Sequence, residues 1–304
     1  MEELRKKKQF DAKKALRDEN YSLAAELFSS LYSEQKSARE NFFLVKALAG
    51  TGNFESALEI AQEYMNSYLA EDQRLVFYIH IAVNAKQALK VYQLLESLKP
   101  YMTEKESQLF YRKLDLEVKR FNEQNNRSVT KQKKQLQYLG LASPLEQRKI
   151  AKEANALTYQ DFIDSVKPAL IDENVHPLVR ASFLNDLRLL NVSEKVAYLP
   201  FLSDKSILCP KKLQGIQETK LFKNYATQLL GNTTRPSNIS QQILGEITLK
   251  LMLLYPDFTE IERDQDLWMH VLLNEKSFFD PQGPYAKIAN DLEKSIAKWQ
   301  PKSK

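Results

Sequence analysis

The stretch Asn20–Pro100 decides the fold, because a short pattern returns in it three times. The three copies read Asn-Tyr-Ser-Leu-Ala-Ala at Asn20–Ala25, Asn-Phe-Glu-Ser-Ala-Leu at Asn53–Leu58 and Asn-Ala-Lys-Gln-Ala-Leu at Asn84–Leu89. Their equivalent alanines, Ala24, Ala57 and Ala88, are 33 and then 31 residues apart. A period of about 34 residues with a small residue at a fixed place is typical of stacked helix pairs. The stretch therefore predicts a helical repeat scaffold.

Apolar residues at helical spacing continue on both sides of these copies. The segment Gly50–Asn53 is the clearest break between two helices, because glycine takes positive φ readily. Pro100 ends the sixth helix. A capping box of Thr103 and Glu106 then predicts a long helix that closes the last apolar face and runs to about residue 121. The six earlier helices are predicted at Leu4–Leu16, Tyr21–Tyr32, Phe42–Ala49, Phe54–Tyr68, Leu75–Val83 and Ala85–Leu98.

This pattern resembles the tetratricopeptide repeat, a pair of antiparallel helices repeated about every 34 residues. The matching positions are Leu44, Gly52, Asn53, Phe54 and Ala57 in the middle copy, Tyr21, Ala24 and Phe28 in the first, and Ala88, Tyr92 and Pro100 in the third. The family's early tryptophan is missing, and Ala61 replaces a large residue of the second helix. The resemblance covers roughly the first third of the chain. It implies a right-handed superhelix of helix pairs whose first helices line a concave face.

The chain after Pro100 divides at a polar, basic segment, so we predict a repeat domain over 1–122, a linker over 123–142 and a mainly helical domain over 143–304. Ser143, Pro144 and Glu146 form a strong helix start. Strands are predicted at Lys195–Phe201 and Ser206–Cys209, which could pair as a small β-hairpin. Helices are predicted at Pro144–Ala156, Tyr159–Leu170, Pro177–Leu190, Leu213–Leu230, Ile239–Leu254, Ile261–Leu273 and Pro284–Trp299.

The second half is similar to the C-terminal region of uncharacterised tetratricopeptide-containing proteins from low-GC Gram-positive bacteria. The residues that carry this similarity are His176–Arg180, the two short strands, Leu254–Pro256 and Trp268. No activity follows from it. The fold class predicted for the whole chain is all-α, with a tetratricopeptide-like superhelix followed by a helical C-terminal domain.

Composition favours a soluble, cytoplasmic protein. The single cysteine, Cys209, rules out an internal disulfide framework and fits a reducing compartment. The N-terminus lacks the apolar core of a signal peptide, and the most apolar run is shorter than a membrane span. The net charge of +5 is concentrated between residues 123 and 160, which hold 7 basic and 3 acidic side chains.

The sequence does not contain the residue patterns of an enzyme, and we predict that the protein is not one. Its three histidines, His80, His176 and His270, are far apart and have no metal-ligand spacing. No phosphate-binding loop is present, and Cys209 lies in an apolar segment that suits a small buried filler better than a nucleophile. We therefore expect neither a cofactor nor a metal.

The resemblance instead implies a groove that binds another protein. If the first helix of each pair lines the concave face, basic side chains alternate there with aromatic ones. Such a surface suits an acidic peptide, since the cations attract carboxylates and the rings anchor apolar groups. The alternative is an ordinary solvated surface. The predicted groove residues are Lys13, Arg39, Phe42, Lys46, Arg74, Phe77 and His80.

Nucleic acid is the other candidate partner. The helices after residue 143 and the hairpin could be drawn as a winged helix, but its recognition helix offers only Arg180 and Arg188, with Asp186 between them. A reader of phosphates and base edges should be more basic. A homodimer also stays open, because apolar end faces of solenoids often pair. The basic residues of this alternative are Arg127, Lys131, Lys134, Arg148 and Lys149.

Overall fold

A computed structural model describes residues 2–231 and 236–299. The predicted fold class is confirmed, because the described residues form helices throughout apart from a two-stranded antiparallel hairpin. The chain divides into two compact units. The N-terminal unit runs to Val129 and includes Asn155–Tyr159, and the C-terminal unit comprises Thr130–Ala154 and the chain from Gln160 onward.

The N-terminal unit consists of successive helices joined by short turns. From α1 to α4, every helix packs against the helix that follows it in the chain. Helix α6 packs against α4, α7 and α8. Its helices are α1 (Glu2–Arg17), α2 (Tyr21–Glu34), α3 (Ala38–Gly50), α4 (Phe54–Gln62), α5 (Met65–Leu69), α6 (Asp72–Asn84), α7 (Ala88–Leu98) and α8 (Glu104–Gln124).

Helices α1, α3 and α6 all end in the same type of backbone turn. In each case a residue with positive φ follows the helix: Glu19 at 56°, Gly52 at 79° and Lys86 at 61°. The next amide donates back to a carbonyl five residues earlier, from 20 to 15, 53 to 48 and 87 to 82. This is the Schellman arrangement, which satisfies carbonyls left open at a helix C-terminus. The three turns are 33 and 34 residues apart, so the repeat is more regular in the backbone than in the sequence.

The third copy of the sequence pattern is therefore misaligned by three residues. Helix α7 begins at Ala88, just as α2 begins at Tyr21 and α4 at Phe54. Ala88 occupies the first helical position, and Val91 is the true equivalent of Ala24 and Ala57. Val91 is buried as they are.

The alanines lie where the sequence predicts, inside the unit. Ala24 and Ala57 have no exposed surface, which allows the paired helices to approach closely. Gly50 has a comparable role at the end of α3. A Cβ on it would come within 2.2 Å of the Tyr21 ring, so only glycine leaves room for that ring.

Residues 54–68, predicted as one helix, are divided into α4 and α5. The buried Asn41 side chain donates from Nδ2 to the Ile60 carbonyl at 2.6 Å, which is a carbonyl of the last turn of α4. Its Oδ1 accepts a hydrogen bond of 2.9 Å from the hydroxyl of Tyr68. The Ile60 carbonyl also accepts from the Glu63 amide at 3.2 Å, so α4 ends in a tight turn. Asn41 adds a second donor to this carbonyl and, through Tyr68, connects the end of α4 to α5.

The segment 123–142, predicted as a linker, is mostly helical. Helix α8 begins at the predicted Thr103–Glu106 capping box, in which both reciprocal hydrogen bonds are present, and it extends to Gln124. Helix α9 (Asn126–Gln137) follows after a single residue. The polar side chains that suggested a linker are those of helices with a wide solvent-facing surface.

The helices from residue 144 onward follow the predicted order, with some ends converted to 3₁₀ turns. The Ser143–Glu146 capping box is present. The hairpin pairs β1 (Val196–Tyr198) with β2 (Ser206–Leu208), as predicted. The helices are α10 (Pro144–Glu153), α11 (Tyr159–Val166), α12 (Pro177–Leu189), α13 (Lys220–Leu230), α14 (Ser237–Leu254), α15 (Thr259–Arg263), α16 (Gln265–Leu272) and α17 (Pro284–Trp299).

Helix α12 is central to the C-terminal unit, and His176 fixes its start. The His176 Nδ1 accepts from the Leu178 amide at 3.2 Å, so it is the helix cap, and Nε2 donates to the Ser295 carbonyl of α17 at 3.0 Å. The ring also stacks on Trp299. This pattern requires a neutral imidazole with its proton on Nε2.

We expect the stability of the protein to fall as the pH drops below about 6.5, the ordinary pKa of histidine. Burial, assisted by the nearby Arg180 and Lys298 charges, lowers the pKa of His176. A histidine with a depressed pKa is fully stabilising above its unfolded-state pKa, and this contribution is lost as the pH falls through the folded-state value. His176→Asn keeps a capping side chain and removes the titration. Urea unfolding at several pH values should therefore show a weaker acid dependence in this variant, and equal dependence in both proteins would contradict the assignment.

Candidate functional site

The predicted groove residues lie on three neighbouring helices of the N-terminal unit, α1, α3 and α6. Side-chain contacts set these helices next to one another. Gln9 of α1 donates to Glu40 of α3 at 2.8 Å, and the Phe42 and Phe77 rings of α3 and α6 meet edge to face at 5.7 Å. We call the side of the unit that carries these residues the groove face.

Stacked cations and aromatic rings form the centre of the groove face. The Arg74 guanidinium lies over the Phe42 ring at 4.9 Å, and its Nε pairs with Glu71 at 3.2 Å. Phe42 and Phe77 are half-buried, so each keeps part of its ring open to a ligand. The cluster combines aromatic anchors with a rigidly held arginine, which are the residue types that dominate binding energy at protein interfaces.

A second cation–ring pair extends the face toward α1. The Lys13 ammonium lies 5.5 Å from the centroid of the Phe43 ring. Phe43 was not among the predicted groove residues. The adjacent Phe42 and Phe43 have different neighbours. The Phe42 ring contacts Phe77 of α6, and the Phe43 ring lies next to Lys13 of α1. A pair of aromatic residues on a first helix is the signal that could have identified it.

Two exposed cations lie on α3, about one helical turn to either side of Phe42. Arg39 and Lys46 lie on the same side of α3 as Phe42 and are exposed. In the described part of the chain neither forms an ion pair with a carboxylate. Glu40, the acidic neighbour of Arg39, is buried and accepts from Gln9. The middle of the groove face thus presents positive charge without a protein counter-ion.

The far edge of the groove face has a different character. His80 Nδ1 lies 3.0 Å from Glu117 Oε2 of α8, and the same carboxylate pairs with Arg120 at 3.2 Å. Helix α8 therefore continues the row of first helices rather than only closing the apolar end. Glu117 could not be predicted as a groove residue, because no repeat pattern marks α8.

The residues of the nucleic-acid alternative are not gathered into one cluster. Arg127, Lys131 and Lys134 are exposed along α9. Arg148 lies over the Trp299 ring at 5.3 Å, and Lys149 is 4.0 Å from Glu153. The five residues therefore belong to two helices with different surroundings.

Helix α12, the recognition helix of the winged-helix interpretation, is not available for DNA. Leu178, Val179, Phe183, Leu184 and Leu187 are all buried, so the helix is enclosed by its neighbours. Arg180 is buried as well and donates to three backbone carbonyls, and Arg188 pairs with Glu218 at 3.4 Å. Both of its arginines therefore already have hydrogen-bond or ion-pair partners within the protein.

Two further titratable side chains, Lys250 and His270, have structural partners. Lys250, which is 1% exposed, donates to Glu246 and Glu293 and so ties α14 to α17. His270 pairs with Glu275 at 2.6 Å and stacks on Phe278. Over residues 2–231 and 236–299, no group of three or more His, Cys, Asp or Glu side chains could hold a metal ion.

The helices of the described chain are all too short or too polar to cross a membrane. No family model matches the sequence, and it has no match among curated proteins or solved structures. The case for a function therefore depends on the chemistry of the groove face.

Proposed function

We propose that this protein is a non-enzymatic adaptor of the tetratricopeptide type, which binds an acidic, aromatic-containing segment of another protein on the groove face. The observation that carries the proposal is the position of Arg39 and Lys46, two exposed cations that lie about one helical turn to either side of the half-buried Phe42 and form no ion pair within the described chain. The regular turn spacing of 33 and 34 residues supports the family assignment, because it agrees with the period of that repeat.

The expected binding energies favour a ligand that carries both acidic and aromatic side chains. Exposed ion pairs alone contribute little, roughly 0–1 kcal/mol each, so carboxylates would mainly steer and orient the segment. An apolar side chain packed on Phe42 and Phe77 would bury area that is now half-exposed and supply most of the affinity. Arg74 is already held by Glu71 and the Phe42 ring, so little side-chain entropy is lost on binding.

Replacing Arg39, Lys46 and Arg74 together by glutamate is expected to weaken binding by about 100-fold, because three attractive charges become repulsive. Short fluorescent peptides rich in Asp and Glu and containing two aromatic residues serve as the probe, with affinity measured by fluorescence anisotropy. Peptides without aromatic residues, or with lysine in place of the acids, should bind more weakly. Added salt should also reduce the affinity of the wild type.

The matched control reverses the same number of charges on α9, in Arg127→Glu, Lys131→Glu and Lys134→Glu. All three residues are exposed, so this variant has the same net charge as the groove variant and should bind the peptide like the wild type. Equal losses of peptide affinity in both variants would mean that only net charge matters, and would contradict binding on the groove face. A low-salt gel shift of random nucleic acid that only the α9 variant abolishes would favour the nucleic-acid alternative instead.

A further inference from the structure

The surface of the C-terminal unit contains an open cavity of about 590 Å³ beside the hairpin, with a wide opening to solvent. One wall is the loop between β1 and β2, which supplies Leu199–Asp204. The other is the start of α12 with the residues before it, Glu173, Pro177 and Arg180. Apolar side chains and one hydroxyl, that of Ser203, line most of the loop side. A volume of this size is in the range of small-molecule sites.

Arg180 is the unusual member of this wall. It is 4% exposed, and its Nε donates to the Leu199 carbonyl at 3.0 Å. Its Nη1 donates to the carbonyls of Asp172 and Val175, at 2.9 and 2.5 Å. Nη2 has no hydrogen-bond acceptor among the residues described. Three hydrogen bonds therefore hold the guanidinium in place, and Nη2 is still able to donate to a ligand.

Within the described chain no carboxylate is in ion-pair contact with Arg180, although the negative charges of Asp172 and Glu173 lie near enough to favour its charged form. Glu173 and Asp204 line the cavity, but neither forms an ion pair with Arg180 within the described chain. Burying a cation without a paired anion is costly, and burial accordingly lowers the pKa of Arg180. An arginine stays charged in proteins even so. A site that keeps a fixed, unpaired guanidinium at the wall of a cavity is suited to accept an anion.

We propose that this cavity binds a small organic monocarboxylate with an apolar body. The carboxylate would accept from Nη2 of Arg180, and the apolar body would lie against Leu199, Pro200 and Phe201. Glu173 and Asp204 limit how much negative charge the cavity tolerates, which favours one carboxylate over a doubly charged phosphate. This site is separate from the groove face and does not depend on its function.

The test uses phenylacetate as the probe and phenylacetamide, its neutral isostere, as the comparison. Ligand-observed NMR on the full chain should show phenylacetate binding with a dissociation constant of about 1 mM, and phenylacetamide and inorganic phosphate binding at least tenfold more weakly. Equal binding of phenylacetate and phenylacetamide would overturn the proposal, since the guanidinium would then have no part in recognition. Tighter binding of phosphate than of phenylacetate would also overturn it.

Variants locate the site. Arg180→Gln should abolish phenylacetate binding, but it also removes hydrogen bonds that join the 172–175 segment to the hairpin and could unfold the unit. Ser203→Trp changes an exposed loop residue and should block the cavity while leaving Arg180 in place. Glu173→Gln, also at an exposed position, should strengthen binding by removing a negative charge. Unchanged binding in Ser203→Trp would place the ligand elsewhere and refute the assignment.

Discussion

Replacing Asn41 by leucine is expected to lower the free energy of unfolding by about 3 kcal/mol, because the buried Tyr68 hydroxyl loses its acceptor and the Tyr32 hydroxyl and the Ile60 carbonyl each lose a donor. The Asn41 side chain has no exposed surface. It donates to the Ile60 carbonyl at 2.6 Å and accepts from the Tyr68 hydroxyl at 2.9 Å. Leucine has the same number and branching of side-chain heavy atoms, so the loss would come mainly from unsatisfied polar groups rather than from a cavity. The Tyr68 side chain has no exposed surface, and this burial raises the pKa of its hydroxyl.

A double-mutant cycle isolates this effect. Tyr68→Phe removes the hydroxyl, and the combined Asn41→Leu, Tyr68→Phe variant should be more stable than Asn41→Leu by about 1 kcal/mol, since one orphaned group disappears. Urea unfolding followed by circular dichroism measures the free energies, and hydrogen exchange should show the loss of protection concentrated in α4 and α5. A destabilisation of Asn41→Leu below about 1 kcal/mol, the worth of one ordinary hydrogen bond, would refute the role given to this residue.

The second large effect is expected at Ala57, where leucine should destabilise the protein by about 3 kcal/mol. Ala57 has no exposed surface and lies on α4, which packs closely against α3. Extra methyl groups there have no free space, so they would force the two helices apart. Thermal unfolding should show a clearly lower midpoint, and the secondary structure measured by circular dichroism should be retained at low temperature.

Ala297→Leu provides the matched control, because Ala297 is an exposed alanine of α17. The same substitution there should change the free energy of unfolding by no more than about 0.5 kcal/mol. Similar losses at both positions would mean that the effect of Ala57→Leu does not arise from close packing between helices.

The sequence predicts the helices well where local chemistry decides them. The two capping boxes and the hairpin are confirmed as predicted, since each depends on residues close together in the chain. The break between α4 and α5 could not be predicted, because Asn41, whose side chain connects the end of α4 to α5, lies on another helix. The third repeat was misaligned because Lys86, rather than glycine, takes the positive φ that marks the turn.

For the candidate sites, the same distinction between local and distant contacts applies. The groove positions follow from the repeat, so the sequence alone predicts Phe42, Arg74 and Phe77. Phe43 and Glu117 depend on which helix lies next to which, and the sequence pattern does not contain that. Arg180 was considered only as a possible DNA contact. Its actual environment depends on the Leu199 carbonyl, which the hairpin brings to it from 19 residues away.

The turns at Glu19 and Gly52 have a consequence for how this chain could be lengthened. The segment between them begins and ends on the same backbone geometry. A tandem duplication of residues 20–52 would therefore enter and leave the scaffold as the original does, since each repeat contacts mainly its neighbours. The protein would gain one helix pair and one more set of groove side chains. The repeated turn therefore marks a position at which a helix pair can be inserted, so that the groove face is lengthened without changes to the existing helices.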